Sequence, residues 1–185
     1  MDQPSERAAL ISGSPSQKSR SGALLSRARE RLDAAGFETT VIELASLPAD
    51  ALLGRKQDGR VEEALRAVQS AGIVVAASPV YKATYSGLLK VFFDLLPKDA
   101  LAGKVGVPIL TGSSPAHSLA LDHGFRPLFA SLGAAVVANA VYGWDAQFTS
   151  GPEPALLALV DRAIEEAVAT ARAAAVAGAQ TTYGR

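Results

Sequence analysis

Short, wholly apolar segments alternate along this chain with longer segments in which apolar residues recur at helical spacing. The clearest short segment is Ile73–Ala77, which contains no polar side chain. A strand is apolar on both faces where helices cover both faces of its sheet, as they do in the parallel sheets of α/β proteins. The alternation therefore predicts a parallel sheet whose strands are connected by helices.

The same pattern locates the individual elements. Strands are predicted at 8–11, 39–44, 73–77, 105–110 and 134–142, and helices near 24–35, 88–96, 116–132 and 154–175. Pro108 falls inside the fourth strand and removes one ladder N–H there. These elements fit a flavodoxin-like, doubly wound five-stranded parallel sheet with helices on both faces. We expect residues 1–177 to form a single domain and residues 178–185 a disordered tail.

Composition excludes several classes of function. The 18 Lys and Arg residues balance 18 Asp and Glu residues, which argues against nucleic acid or a membrane surface as the main partner. Because the chain has no Cys, disulfides and thiolate chemistry are excluded, and with only His117 and His123 we expect no metal site. No signal peptide and no membrane-spanning segment are visible, so we expect a cytoplasmic protein.

The loop after the first strand has the composition of an anion-binding site. Four serines (Ser14, Ser16, Ser19 and Ser21) stand with Lys18 and Arg20 just before the first predicted helix. Free backbone N–H groups at a helix N-terminus, serine hydroxyls and an Arg together suit a terminal phosphate monoester. A polar loop with a serine helix cap is the alternative. Neither a Walker A sequence nor Gly-x-Gly-x-x-Gly is present, so a mononucleotide is favoured over a dinucleotide.

Two further loops follow strands at the same predicted edge of the sheet. Residues 78–87 contain Pro79 and two tyrosines, Tyr81 and Tyr85, which can face a planar heterocycle or form a half-buried turn. Residues 111–114 form a small segment around Gly112, where backbone N–H groups can approach a ligand or simply form a tight turn. In such sheets, ligands lie at the C-terminal ends of the strands beside the topological switch point.

Three stretches in these loops resemble the NAD(P)H-dependent FMN reductases: Gly13-Ser14-Pro15 with Ser19-Arg20-Ser21, the segment 79–90, and Thr111-Gly112-Ser113. The most similar group is the reductases of two-component alkanesulfonate and methanesulfonate monooxygenase systems. The similarity extends from about residue 8 to about residue 170 and is most specific at 79–96. It implies an oxidoreductase of the flavodoxin-like fold, assembled as a homodimer or homotetramer.

The resemblance also implies a set of residues that bind FMN. Ser14, Ser19, Arg20 and Ser21 match the phosphate-binding stretch of the family, although Ser16 stands where the family often has an Arg. The residues that match the segment against the isoalloxazine ring are Pro79, Val80, Tyr81 and Lys82, and those that match the third flavin loop are Thr111, Gly112 and Ser113. In the alkanesulfonate group a Tyr is inserted as a π-bulge in the fourth helix. Here His123 takes that place, as in the methanesulfonate type, and a role in flavin exchange is one hypothesis for it.

The implied reaction is hydride transfer from NADPH or NADH to N5 of FMN, followed by release of reduced FMN to a separate FMNH2-dependent monooxygenase of sulfonate desulfurisation. Because the cofactors carry this chemistry, no catalytic side chain is required of the protein. A quinone or azo reductase that retains FMN is one alternative. A flavodoxin-type electron carrier is another, although such carriers are usually strongly acidic and this chain is neutral.

Overall fold

The computed structural model describes residues 6–182 and the side chains as far as residue 177. Its strands are β1 (Arg7–Ser12), β2 (Glu38–Glu43), β3 (Ile73–Pro79), β4 (Val105–Gly112), β5 (Ala135–Val136) and β6 (Val141–Trp144). They form one parallel sheet in the order β2-β1-β3-β4-β5, and β6 also pairs with β4. This is the strand order of flavodoxin-like sheets, so the predicted fold is confirmed.

Helices cover both faces of the sheet and bury two apolar cores. The helices are α1 (Arg20–Ala34), α2 (Ala49–Leu52), α3 (Gly59–Ser70), α4 (Gly87–Phe93), α5 (Arg126–Ser131) and α6 (Pro154–Thr182). One core contains residues of α3, α4 and α5, and the other contains residues of α1 and α6. Alternate residues of β3 enter opposite cores, as Val74 and Val75 do.

The predicted fifth strand, 134–142, is not continuous. It is divided into β5 and β6, and residues 137–140 leave the ladder. The Arg126 guanidinium donates to the carbonyl oxygens of Val137 (2.6 Å) and Ala138 (2.7 Å), while the Glu166 carboxylate accepts the N–H of Ala138 at 2.6 Å. These bonds satisfy backbone groups that β4 does not reach. On the β4 side, Gly106 C=O accepts the N–H of Val137. Residues two positions apart in a strand direct their backbone groups to the same side, so the nitrogen of Pro108, which carries no hydrogen, also faces the gap between β5 and β6.

Two helix ends differ from the prediction. The helix after β3 ends at Phe93 rather than near Leu96, because the last residues before Pro97 form turns. The last helix, α6, continues past Ala175 to Thr182, so residues 178–182 of the expected tail are helical, and residues 183–185 lie outside the described residues. Among the residues that the structure describes, none of the helices combines the length and apolar composition that crossing a bilayer requires.

Candidate functional site

The loops that follow β1, β3 and β4 meet at the C-terminal edge of the sheet and are hydrogen-bonded to one another. Gly13 N–H donates to Ala77 C=O at 2.7 Å, and the buried Ser86 hydroxyl donates to Gly13 C=O at 2.5 Å. Val80 N–H donates to Thr111 C=O at 2.7 Å. Because these bonds join neighbouring loops, the three segments form one connected surface.

The first loop leads into α1 through a set of serine contacts. Ser19 is the N-cap of α1, and its hydroxyl accepts the N–H of Gly22 at 3.0 Å and lies 3.3 Å from the hydroxyl of the buried Ser21. Ser14 is also buried, and its hydroxyl accepts the N–H of Ser16 at 3.1 Å. The amides of Arg20 and Ser21 have no hydrogen-bond partner within the described part of the chain. A helix N-terminus of this kind can donate to an anion.

The Arg20 guanidinium lies over the junction of the first loop with two other segments. It donates to Gly112 C=O at 3.4 Å and lies 5.8 Å from the ring centroid of Phe148. It also forms an ion pair with the carboxylate of Asp145. The partners Asp145 and Phe148 belong to a short 3₁₀-helix, Asp145–Phe148, that follows β6. The segment after β6 is therefore a fourth part of the site, and it contacts Arg20, which the sequence predicts to bind phosphate.

The loop after β3 is a tight hairpin that exposes its tip. Tyr81 N–H donates to Thr84 C=O at 2.8 Å, and Thr84 N–H donates to Tyr81 C=O at 3.2 Å. Between them, Lys82 and Ala83 have φ values of 48° and 72°. A type I′ turn needs this left-handed region at both central positions, although residues other than Gly rarely adopt it. The Tyr81 side chain is half exposed and Lys82 is exposed.

The two tyrosines of this loop have different environments. Tyr85 packs on Phe125, with ring centroids 5.4 Å apart. Burial raises the pKa of Tyr85, Lys90 opposes that effect, and Asp94 adds to it. Tyr85 thus matches the half-buried turn that the sequence left as the alternative, whereas Tyr81 presents an aromatic surface at the edge of the site.

The loop after β4 is shaped by contacts with β6. Thr111 and Gly112 are buried and Ser113 is exposed. A Cβ at Gly112 would lie 2.4 Å from the Tyr142 hydroxyl and 3.1 Å from the Cβ of His117. The Tyr142 hydroxyl donates to Ser114 C=O at 2.5 Å. Burial raises the pKa of Tyr142, and the charge of Arg20 only partly opposes that increase. Gly112 is therefore required for close packing against Tyr142. The His117 side chain is exposed.

A π-helical turn, Leu121–Phe125, interrupts the helix that leads into α5. A π-bulge is therefore present at the place where the resemblance puts His123, and the His123 side chain is exposed within it. At the next residue a Cβ on Gly124 would lie 2.3 Å from the Thr84 hydroxyl oxygen. The π-turn thus packs closely on the hairpin after β3, and the absence of a side chain at Gly124 allows this contact.

The structure brings the predicted residues of all three loops to one edge of the sheet. Three further residues lie at this edge that were not predicted from the sequence, namely Ser86, Asp145 and Phe148. The last two follow β6, which lies beside β4, so their position at the same edge could have been inferred from the predicted strand order. Among the described residues, no group of three or more His, Cys, Asp or Glu side chains is arranged to hold a metal ion.

The residues present fit a singly phosphorylated flavin. The unpartnered amides of Arg20 and Ser21, the Ser19 hydroxyl and the Arg20 guanidinium offer donors to one phosphate group. The half-exposed Tyr81 ring offers a flat apolar surface at the same edge. These two features match the two ends of FMN.

Comparison with known proteins gives the same family. Residues 7–149 match the family model described as NADPH-dependent FMN reductase. A relative from Pseudomonas putida KT2440, named FMN reductase (NADPH), is 40% identical over 159 residues, which are 84% of this chain and 79% of the relative. Another relative from Pseudomonas putida, named NADH-dependent FMN reductase SfnE, is 35% identical over 167 residues, which cover 85% and 88% of the two chains.

A solved structure is similar to this chain in both fold and sequence. The apo form of an NADH:FMN oxidoreductase, EMOB, superposes with a TM-score of 0.82 at 37% identity and covers 89% of each chain. The residues that the family model matches, 7–149, include all three loops of the site. The chain therefore belongs to the NADPH-dependent FMN reductase family, and it is an oxidoreductase whose cofactors are FMN and a reduced nicotinamide nucleotide.

Proposed function

We propose that this reductase releases its reduced FMN to a separate flavin-dependent monooxygenase, in the desulfurisation of organic sulfonates. In this proposal the monooxygenase binds the reductase only transiently, and the reductase acts in the cytoplasm. The proposal is supported by the resemblance of residues 79–96 to the reductases of sulfonate systems and by the similarity to the relative named SfnE. The proposal includes a homodimer or homotetramer, as the family resemblance implies. It also includes a role in flavin exchange for His123, which is exposed within the π-turn.

The protein contributes position and electrostatics. FMN, when bound, supplies the ring whose N5 accepts hydride from the nicotinamide. In our proposal the amides of Arg20 and Ser21 and the Arg20 guanidinium bind the phosphate, and Ser14 and Ser19 keep the loop in its shape. The observation that carries this assignment is the pair of unpartnered amides beside the Arg20 guanidinium. A phosphate at a helix N-terminus gains from both the free N–H groups and the helix dipole.

The ring of FMN lies along the other two loops in this proposal. Pro79, Val80, Tyr81 and Lys82 face the isoalloxazine, and the segment Thr111-Gly112-Ser113 donates to its N1 and C2=O edge. Negative charge develops at that edge on reduction, so a backbone donor there favours the reduced flavin. The bond from Val80 N–H to Thr111 C=O keeps the two loops in register with each other.

Steady-state flavin reduction tests the activity. We expect turnover with NADPH, NADH or both, with FMN preferred over riboflavin and FAD, and a rate that depends on added free FMN. A protein that keeps stoichiometric FMN through purification and reduces quinones or azo compounds instead would be the retained-flavin alternative. If neither nicotinamide bleaches the flavin absorbance, the chain is an electron carrier and our proposal is wrong.

Substitution of Arg20 tests the phosphate site. We expect Arg20→Ala to raise the Kd for FMN about tenfold or more, as the loss of a charged hydrogen bond does, and to leave the Kd for riboflavin within about twofold. Arg29→Ala is the matched control, because Arg29 lies on the same helix and pairs with Asp33 away from the loops. Equal losses of affinity for FMN and riboflavin would contradict the assignment.

A further inference from the structure

The cation of the proposed phosphate site already has an anionic partner within the protein. The Arg20 guanidinium pairs with the Asp145 carboxylate, and no other carboxylate contacts it among the described residues. The backbone carbonyl of Gly112 accepts from the same guanidinium at 3.4 Å. A phosphate that arrives at Arg20 therefore meets a carboxylate of the same sign of charge.

The segment that carries Asp145 is anchored at the site. Trp144 N–H donates to the side-chain oxygen of Gln147 at 3.2 Å, which closes the 3₁₀-helix after β6. The Phe148 ring packs on the backbone of Gly143, where a Cβ would lie 2.9 Å from its Cε2. These contacts hold the backbone of Asp145 beside Arg20, while the Asp145 side chain is 56% exposed and free to rotate into solvent.

We propose that Asp145 is a specificity-determining residue that competes with the flavin phosphate for Arg20. The inference rests on the proposed function, in which Arg20 binds that phosphate. When FMN binds, Asp145 gives up its ion pair and remains close to a second anion. Riboflavin has no phosphate and does not meet this penalty. Asp145 therefore weakens the binding of FMN selectively and favours a flavin that exchanges over one that is retained.

The charges determine the sign of this effect. A phosphate monoester carries a charge of about −1.5 to −2 at pH 7, which exceeds that of the carboxylate, so it can displace Asp145 from an exposed pair. The displaced carboxylate still repels the phosphate through a partly solvated medium. If Asp145 served instead to orient Arg20 for the phosphate, its removal would weaken the binding of FMN. The two roles thus predict opposite changes.

Fluorescence titration of the full-length protein with FMN and with riboflavin separates these roles. We expect Asp145→Asn to lower the Kd for FMN about threefold to tenfold at low salt and to leave the Kd for riboflavin within about twofold. The difference should shrink as ionic strength rises towards 1 M, where charges are screened within about 3 Å. Asp145→Ser, which removes the charge with a different side chain, should give the same direction of change.

Two controls keep the outcomes distinct. Glu165→Gln removes one negative charge from α6, where Glu165 pairs with Arg31 near the C-terminal end of α1. This substitution should not change the Kd for FMN or for riboflavin. In an Arg20→Ala background the tightening by Asp145→Asn should fall to less than half. If Asp145→Asn weakens the binding of FMN or leaves it unchanged while Arg20→Ala still acts selectively on FMN, the competition is refuted and the phosphate site stands. If Arg20→Ala is not selective, the phosphate site itself is wrong.

Discussion

The buried side chain of Ser86 joins the loop after β1 to the loop after β3, so its removal should destabilise the protein. Its hydroxyl donates to Gly13 C=O at 2.5 Å and accepts the N–H of Leu89 at 3.1 Å as the N-cap of α4. Ser86→Ala removes both bonds and leaves a buried carbonyl and a helix N–H without partners. The lost cap costs about 1 kcal/mol and the unsatisfied carbonyl about 1–3 kcal/mol. We expect the free energy of unfolding to fall by about 2–4 kcal/mol.

Urea denaturation and thermal melting measure this loss. For a chain of this length about 1 kcal/mol corresponds to about 2–4 °C, so the Tm should fall by roughly 4–16 °C. Ser46→Ala is the matched control, because the exposed Ser46 hydroxyl donates to a carbonyl, that of Glu43, at 2.7 Å, and its loss should cost less than about 0.5 kcal/mol. If both variants changed stability equally, the hydroxyl of Ser86 would not be the link between the loops.

Three further predictions concern the hairpin, the π-turn and the helix pair behind the sheet. Ala83→Gly should increase the free energy of unfolding by about 0.5–1 kcal/mol, because the relief of left-handed strain exceeds the entropy that Gly adds to the unfolded chain. Urea denaturation measures this change, and a lower urea midpoint than that of the wild type would contradict it. Gly124→Ala should cost about 1–3 kcal/mol through its contact with the Thr84 hydroxyl, and Thr84→Ala should restore part of that loss in the double variant; additive effects would exclude the contact. Hydrogen bonds from Arg27 lower the pKa of Asp161, so its stabilising effect is present above the unfolded-state pKa of about 3.9 and is lost as the pH falls through the lower folded-state pKa. The stability gap between the wild type and Asp161→Asn should therefore be full at pH 7 and narrow steadily as the pH falls below about 3.9, and a gap that stays constant over that acid range would refute the coupling.

The strands β1, β3 and β4 could be predicted from the sequence because each contains a short apolar run bounded by polar or turn residues, and β2 could be predicted from its β-branched residues at 39–42. The gap between β5 and β6 could not, because it depends on Arg126 and Glu166, which reach residues 137–140 only after the chain has folded. Local propensity at 134–142 carries no sign of those two side chains. The end of α6 differs, because its alanine-rich sequence itself favours a helix, and the predicted end near Ala175 was too early.

The candidate site divides in the same way. Ser19 and Arg20 follow a strand and begin a helix, so their position at the edge of the sheet follows from local order. The pairing of Arg20 with Asp145 joins the segments that follow β1 and β6, which are far apart in the chain, and required the structure. The role of Gly112 also changed, since the packing of the Tyr142 hydroxyl accounts for the missing side chain. The π-turn lies where the family resemblance describes a bulge in related reductases, and residue spacing gives no sign of it.

An X-ray structure of crystals soaked in FMN tests the central assignment most directly. We predict that the phosphate accepts hydrogen bonds from the amides of Arg20 and Ser21, at about 2.7–3.2 Å between nitrogen and oxygen, with the ring system beside Tyr81 and the Thr111-Gly112-Ser113 segment. Electron density that places the phosphate away from residues 19–21, or the ring on another face of the sheet, would contradict the account.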